Sequence, residues 1–197
     1  MVRVAIFASG NGTNFEVLAK KFLKGELPGQ LVLLFCDHPK ANVIKRAKRL
    51  GVAWQAFTVK ECGGKVAYEK RIYQLLVANR IDFIILAGYL RVIGGPILKN
   101  YEGRIVNLHP AYLPEYPGLN SIERAFNDHR KQTGVTVHYV DAKLDSGPII
   151  VQKHVPILPD DTVERLEQRV HDCEHQLYPQ AVKQILTELT QKENAKR

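Results

Sequence analysis

Two polar side chains, Asn107 and His109, alternate with Val106 and Leu108 in the run Ile105-Val106-Asn107-Leu108-His109. Extended backbone repeats every two residues, so the amide and the imidazole project from one side while the aliphatic residues take the other. Held together at a strand end, they offer a donor for a developing oxyanion and a group that can move a proton, which acyl transfer requires. Pro110, Pro114 and Pro117 follow. Each fixes its own φ and turns the residue before it away from helix, so the loop beyond His109 is stiff. A bare Asn-x-His at a strand end serves equally well as turn chemistry, so its accompaniment must decide.

The first accompaniment is Ser9-Gly10-Asn11-Gly12-Thr13-Asn14, placed where an apolar strand gives way to a helix. Such a junction presents free backbone N–H groups and the positive end of the helix dipole to an anion. No Gly-Lys-Ser/Thr follows, which excludes a Walker loop. Phe15 stands where a dinucleotide fingerprint needs its third glycine, so a single phosphate fits better. Asp37 follows the second strand, where a dinucleotide fold holds a ribose; without that glycine it reads as a loop residue.

Asp145 lies in Leu144-Asp145-Ser146-Gly147-Pro148, a turn-forming stretch. Folded over the end of the Asn107/His109 strand, its carboxylate would favour the imidazolium and raise the pKa of His109, making it a usable general acid. His171-Asp172-Cys173-Glu174-His175 matches the H-x-x-E-H pattern of a zinc peptidase family, but no third ligand stands out, and no metal is expected. His171 and Glu174, three apart on a helix flank, can face a cleft while the apolar seam packs on a sheet.

The elements that must position these groups alternate. Strands are expected at Val2 to Ala8, Leu31 to Cys36, Val52 to Thr58, Phe83 to Ala87 and Arg104 to Leu108. Helices are expected at Phe15 to Leu23, Ala41 to Leu50, Val66 to Ala78 and Pro96 to Tyr101. Ser121 to His129 reads as a helix, then Gly134 to Asp141 and Pro148 to Val155 as an antiparallel pair. Asp161 caps a long C-terminal helix that Pro179 bends or ends, with Ala181 to Leu189 resuming. The pattern predicts an α/β fold: a doubly wound, mostly parallel sheet with antiparallel C-terminal strands.

At 197 residues and 45% hydrophobic, the chain suits one domain with a sizeable core. The cysteines Cys36, Cys62 and Cys173 are odd in number and show no C-x-x-C spacing, which suits a reducing, cytoplasmic setting. Its opening apolar run is too short for a membrane span. A net charge of +8 is compatible with nucleic acid or with small anionic substrates. The basic residues are spread along solvated helix faces, which favours small anionic substrates over nucleic acid or a membrane.

Six motifs in register over essentially the whole chain resemble the phosphoribosylglycinamide formyltransferase family, the folate-dependent glycinamide ribonucleotide transformylases. They are Ser9 to Asn14, Ala87-Gly88-Tyr89-Leu90-Arg91, Asn107 to Pro110 with Leu113-Pro114 and Pro117-Gly118, Gly134 to His138, Leu144 to Pro148, and Glu174-His175 with Tyr178-Pro179.

The resemblance implies a Rossmann-like formyltransferase fold in one domain. Residues 1–100 would form the phosphate-binding half, 101–190 the catalytic and folate-binding half, and 191–197 a frayed basic tail. It implies Asn107, His109 and Asp145 as the catalytic trio, and Gly12, Thr13 and Asn14 on the substrate's 5'-phosphate. His171, Asp172, Cys173 and Glu174, forming a turn around His171, would meet its ribose and glycinamide end. Leu90, Arg91, Val92 and Ile93, with Asp141, Ala142, Lys143, Leu144 and Asp145, would line the pteridine pocket, with Lys65 near the folate tail.

The implied co-substrate is 10-formyltetrahydrofolate, the partners are small molecules, and the protein would be a monomer or homodimer. Lys65 replaces an Arg and Asn120 a His found in some relatives. Methionyl-tRNA formyltransferase and formyltetrahydrofolate deformylase share the Asn/His/Asp site but carry an additional domain for which no segment is apparent. A basic nucleotide- or RNA-binding module would use the same glycine turn without requiring the trio to converge.

Overall fold

The computed structural model describes residues 1–195. Its elements run β1 (Arg3–Ala8), α1 (Thr13–Leu23), β2 (Gln30–Cys36), α2 (Asn42–Leu50), β3 (Trp54–Ala56), α3 (Lys65–Ala78), β4 (Phe83–Leu86), α4 (Gly95–Asn100), β5 (Ile105–His109), α5 (Ser121–Asn127), β6 (Gln132–Tyr139), β7 (Ile149–Pro156) and α6 (Val163–Asn194). One sheet takes all seven strands in the order β3-β2-β1-β4-β5-β6-β7. β1 to β5 pair in parallel, whereas β6 and β7 join antiparallel, as expected. No helix among the described residues is long and apolar enough to cross a membrane.

The central strands are apolar throughout because both faces are covered. In β1, Val4, Ile6 and Ala8 enter the core shared with α1, α2 and α6, while Ala5 and Phe7 enter a second core under α3 and α4. β1, β4 and β5 lie side by side, so their carboxyl ends open on one rim. Chain order reverses between β1 and β4, the place where open α/β sheets bind ligands.

Local chemistry moves several boundaries. β3 is shorter than its apolar run. Val52 closes α2 instead, its N–H reaching the Ala47 carbonyl at 3.0 Å past a left-handed Gly51. At the other end Thr58 and Glu61 cap one another in a turn. Asp161 does not cap α6. It accepts the Leu158 N–H and two bonds from Arg169, and Thr162 caps the helix through the Arg165 N–H at 3.3 Å. Pro179 neither ends nor splits α6, because Tyr178, Val182 and Ile185 are buried in the same core and hold both halves against the sheet. Residues 191–194 of the expected frayed tail continue α6, and 196–197 lie outside the described residues.

Candidate active site

At the end of β1 the backbone turns through Gly12, which is left-handed at φ 77° and precedes α1 without a side-chain cap. The first-turn amides of α1 therefore remain available to an anion. A Cβ on Gly12 would lie 2.4 Å from Val43, so α2 permits only glycine there. The same helix braces the turn: the Val43 N–H donates to the Gly10 carbonyl at 3.1 Å, and Arg46 donates to the Asn11 carbonyl at 2.8 Å and its side-chain oxygen at 3.1 Å. Glu16 joins Lys20, Arg46 and Arg49 behind it. Lys20 leads these cations in holding the Glu16 carboxyl down at about 2 against the opposing effect of burial.

α6 closes this end of the cleft. The buried Tyr178 hydroxyl donates to the Leu86 carbonyl at 2.7 Å and pins the helix over the end of β4. One turn earlier, the buried Glu174 accepts from Asn14 Nδ2 at 2.9 Å and from His171 Nδ1 at 2.8 Å. The Glu174 bond raises the His171 pKa above the usual imidazole range despite partial burial. Both residues lie inside α6, on the helix flank expected for them. Helical geometry brings His171 and Glu174 to one face and sends the intervening pair elsewhere. Asp172 is exposed and accepts from Gln168, while Cys173 belongs to the core. Asn14, His171 and Glu174 line the cleft; Gly12 and Thr13 lie beside it.

At the end of β5, period-two geometry sends Val106 and Leu108 into the α6-side core while Asn107 and His109 line a cleft of about 550 Å³. The proline loop is fastened to the adjoining strands. Thr136 accepts the Leu113 N–H at 3.1 Å and donates to the Ala111 carbonyl at 2.7 Å, and Gln152 donates to the Leu113 carbonyl at 2.7 Å. Asp145, itself left-handed at φ 49°, arrives from the β6–β7 loop and accepts the Gly118 N–H at 2.8 Å. Gly147 makes that path possible, since a Cβ there would collide with the Tyr139 carbonyl at 1.9 Å.

The trio converges, but loosely. Asp145 lies 3.5 Å from both Asn107 Nδ2 and His109 Nδ1. His109 Nε2 donates to the Tyr116 carbonyl at 2.8 Å, so in the neutral ring Nδ1 is the bare nitrogen. The expected rise in the His109 pKa is not found. Burial pulls it below 6.5 and outweighs the opposite pulls of the Tyr116 carbonyl and the Asp145 charge. Burial also pushes the Asp145 carboxyl up, yet the His138 ring, the Gly118 amide and the His109 charge leave it below the usual range.

His138 carried no expected role and is buried at the centre. It stands opposite Asn107 across the β5–β6 pair, with Nε2 3.3 Å from Asn107 Nδ2 and 3.6 Å from Asp145. Its Nδ1 donates to the Tyr139 carbonyl at 2.8 Å. In the neutral ring Nε2 therefore accepts from Asn107; once protonated it would donate to Asp145.

Leu90, Arg91, Val92 and Ile93 line the mouth, faced by Asp141, Lys143 and Leu144. Leu90, Val92, Leu119 and Leu144 form an exposed apolar rim. Asp141 turns its carboxylate inward to the Lys143 N–H and the Ser146 hydroxyl, and Ala142 is not among the lining residues. Lys65 opens α3 with a solvent-facing side chain 3.9 Å from Glu69 and does not line the cleft. Asn120 does line it, at the left-handed start of α5. Among the described residues no group of three or more His, Cys, Asp or Glu is placed to share a metal.

A glycine turn with free helix amides, an amide–imidazole–carboxylate cluster and an apolar mouth along one cleft define an α/β enzyme suited to carbonyl group transfer. The chain belongs to the formyl transferase family, whose model matches residues 2–182. It is 43% identical over 186 residues to the phosphoribosylglycinamide formyltransferase of Bacillus subtilis (strain 168), spanning 94% of this chain and 95% of that protein. It is 37% identical to the trifunctional purine biosynthetic protein adenosine-3 of Drosophila melanogaster, over 93% of this chain and 14% of that protein. The crystal structure of glycinamide ribonucleotide transformylase 1 from Geobacillus kaustophilus superposes with a TM-score of 0.92 at 47% identity, over 94% of this chain and 99% of that one.

Proposed function

We propose that this chain transfers the formyl group of 10-formyltetrahydrofolate to the amine of glycinamide ribonucleotide, giving formylglycinamide ribonucleotide and tetrahydrofolate in de novo purine biosynthesis. The observation that carries this reading is the convergence of Asn107, His109 and Asp145 in a cleft whose far end meets the glycine turn and Glu174. The phosphate sits on the turn of Gly12, Thr13 and Asn14, and Glu174 with His171 receives the ribose and glycinamide end. The residues at the mouth take the folate; their aliphatic side chains suit its rings, and the backbone of 90–93 supplies polar groups.

The reaction joins the amine nitrogen to the formyl carbon and ends by breaking that carbon's bond to the folate nitrogen. Asn107 donates to the oxygen that gains charge as the tetrahedral centre forms. His109 rests with a lowered pKa because burial disfavours its cation; an oxyanion arriving beside it supplies the missing negative charge. Its cation is thereby stabilised more in the transition state than at rest, which lowers the barrier. The proton shed by the attacking amine is taken up through His109, whose imidazolium Asp145 holds, and passes to the leaving folate nitrogen, so the amine's lost N–H reappears on tetrahydrofolate. No covalent intermediate with the protein is required. A cytoplasmic enzyme of small molecules, monomeric or homodimeric, follows from this reading.

The test is one assay: purified protein with glycinamide ribonucleotide and 10-formyltetrahydrofolate, followed by release of tetrahydrofolate. Release should require both compounds. Equal release without the ribonucleotide would mark hydrolysis and overturn the proposal.

A further inference from the structure

Asp37 follows β2 at the point where a dinucleotide fold presents an acid to a ribose. Here the carboxylate is fully buried and both oxygens are engaged within the chain. Oδ1 lies 2.9 Å from His38 Nδ1, and Oδ2 accepts from Arg91 Nε at 2.6 Å. Arg91 belongs to the irregular segment between β4 and α4, whose residues 90–93 line the cleft mouth. The backbone of that segment is also held by the Ser9 hydroxyl, which accepts the Leu90 N–H at 2.9 Å. Beneath Arg91, the ring of Tyr68 lies 5.9 Å from the guanidinium, and its hydroxyl is 2.7 Å from that of Tyr89. A rigid fork seated on a buried carboxylate and an aromatic floor fixes the course of the backbone that carries it.

We propose that Asp37 is a positioning residue for the co-substrate: by clamping Arg91 it sets the backbone of residues 90–93 in the form that receives the folate ring. This rests on the proposed function, and it gives the acid of the fold's nucleotide position a different task. The acid at this position serves as an internal anchor for a neighbouring loop. Arg91 then matters through the position of its main chain, with its Nε tied to the buried Asp37.

The measurement is steady-state kinetics with each substrate varied in turn. Asp37→Asn should raise the KM for 10-formyltetrahydrofolate by about tenfold, the scale of one charge-assisted hydrogen bond. It should leave kcat and the KM for glycinamide ribonucleotide within about twofold. Arg91→Ala should reproduce the rise in folate KM. The double variant should add nothing further, because the two side chains act as one unit. Arg91→Lys keeps the charge without the fork and should fall between.

Additive effects, or a folate KM unmoved in both single variants, would overturn the assignment. So would an equal rise in both KM values, the mark of a general loss of structure. Should Asp37→Asn fail to fold, Arg91→Ala still decides, because its side chain is 40% exposed and the core does not depend on it. A wild-type protein that releases no tetrahydrofolate would instead bring down the proposed function, and this inference with it.

Discussion

Of the imidazoles that face carboxylates in the cleft, His109 and His171 have pKa values that move in opposite directions. His171, 47% exposed, lies 2.8 Å from Glu174 and is raised; His109, 6% exposed, lies 3.5 Å from Asp145 and is lowered. Both have a carboxylate partner, so the partner alone does not set the sign. A short, aligned bond at a half-open site exceeds a small desolvation cost, whereas a long contact in a closed site does not. In the proposed reaction the closed pair stands where charge would appear and the open pair where the ionic substrate would arrive and leave. On that reading one end stabilises the transition state and the other binds the ground state.

The sharpest way to break that contrast is at the closed end. His109→Ala should lower kcat by roughly 10²-fold or more, the loss expected for one oxyanion-stabilising group. Turnover near wild type would remove His109 from the reaction. Asp145→Asn should act more selectively. Without the negative charge that pulls the His109 pKa upward, the limb of the kcat–pH profile that reports this imidazole should move to lower pH. An unmoved profile would mean that Asp145 serves only to hold the Gly118 loop.

At the open end the expected effect is smaller and of another kind. Glu174→Gln keeps the shape but removes the charge that Asn14 and His171 share. The KM for glycinamide ribonucleotide should rise by about tenfold, in keeping with weakened charge-assisted bonds, while the folate KM holds. A fall in kcat with both KM values unchanged would move Glu174 from binding into the chemistry and erase the difference between the two ends.

What could be read from the sequence was what backbone periodicity determines. Asn107 and His109 share a face because strands repeat every two residues, and His171 and Glu174 because helices bring positions three apart together. The glycine turn was legible because its position between strand and helix leaves amides free. Partners set by register between distant segments were not. His138 meets Asn107 only because the β5–β6 pair is antiparallel with that particular alignment, and Asp37 meets Arg91 across 54 positions. The sign at His109 was hidden for a different reason. An Asp in a turn can be seen as a possible charge, but the desolvation that outweighs it depends on how Tyr116, Gly118 and His138 close around the ring. Lys65, named by resemblance alone, faces solvent at the start of α3, where neither periodicity nor packing assigns it a task.

Stability provides the finest test of the comparison, because the two histidines load opposite sides of one pH value. Their ordinary value is 6.5. As pH falls below it, the unfolded chain takes up a proton at residue 109 that the folded protein resists, so folding weakens down through the lowered folded pKa. At residue 171 the folded state holds its proton more tightly. That contribution is complete below 6.5 and is lost as pH rises through the raised folded pKa. Melting temperatures of His109→Gln across pH should therefore show a flatter acid limb and an unaltered alkaline one. His171→Gln should flatten the alkaline limb alone, and by less, because solvent screens a half-exposed pair. Equal changes on the acid limb would show that burial, and not the distance to the carboxylate, governs both sites.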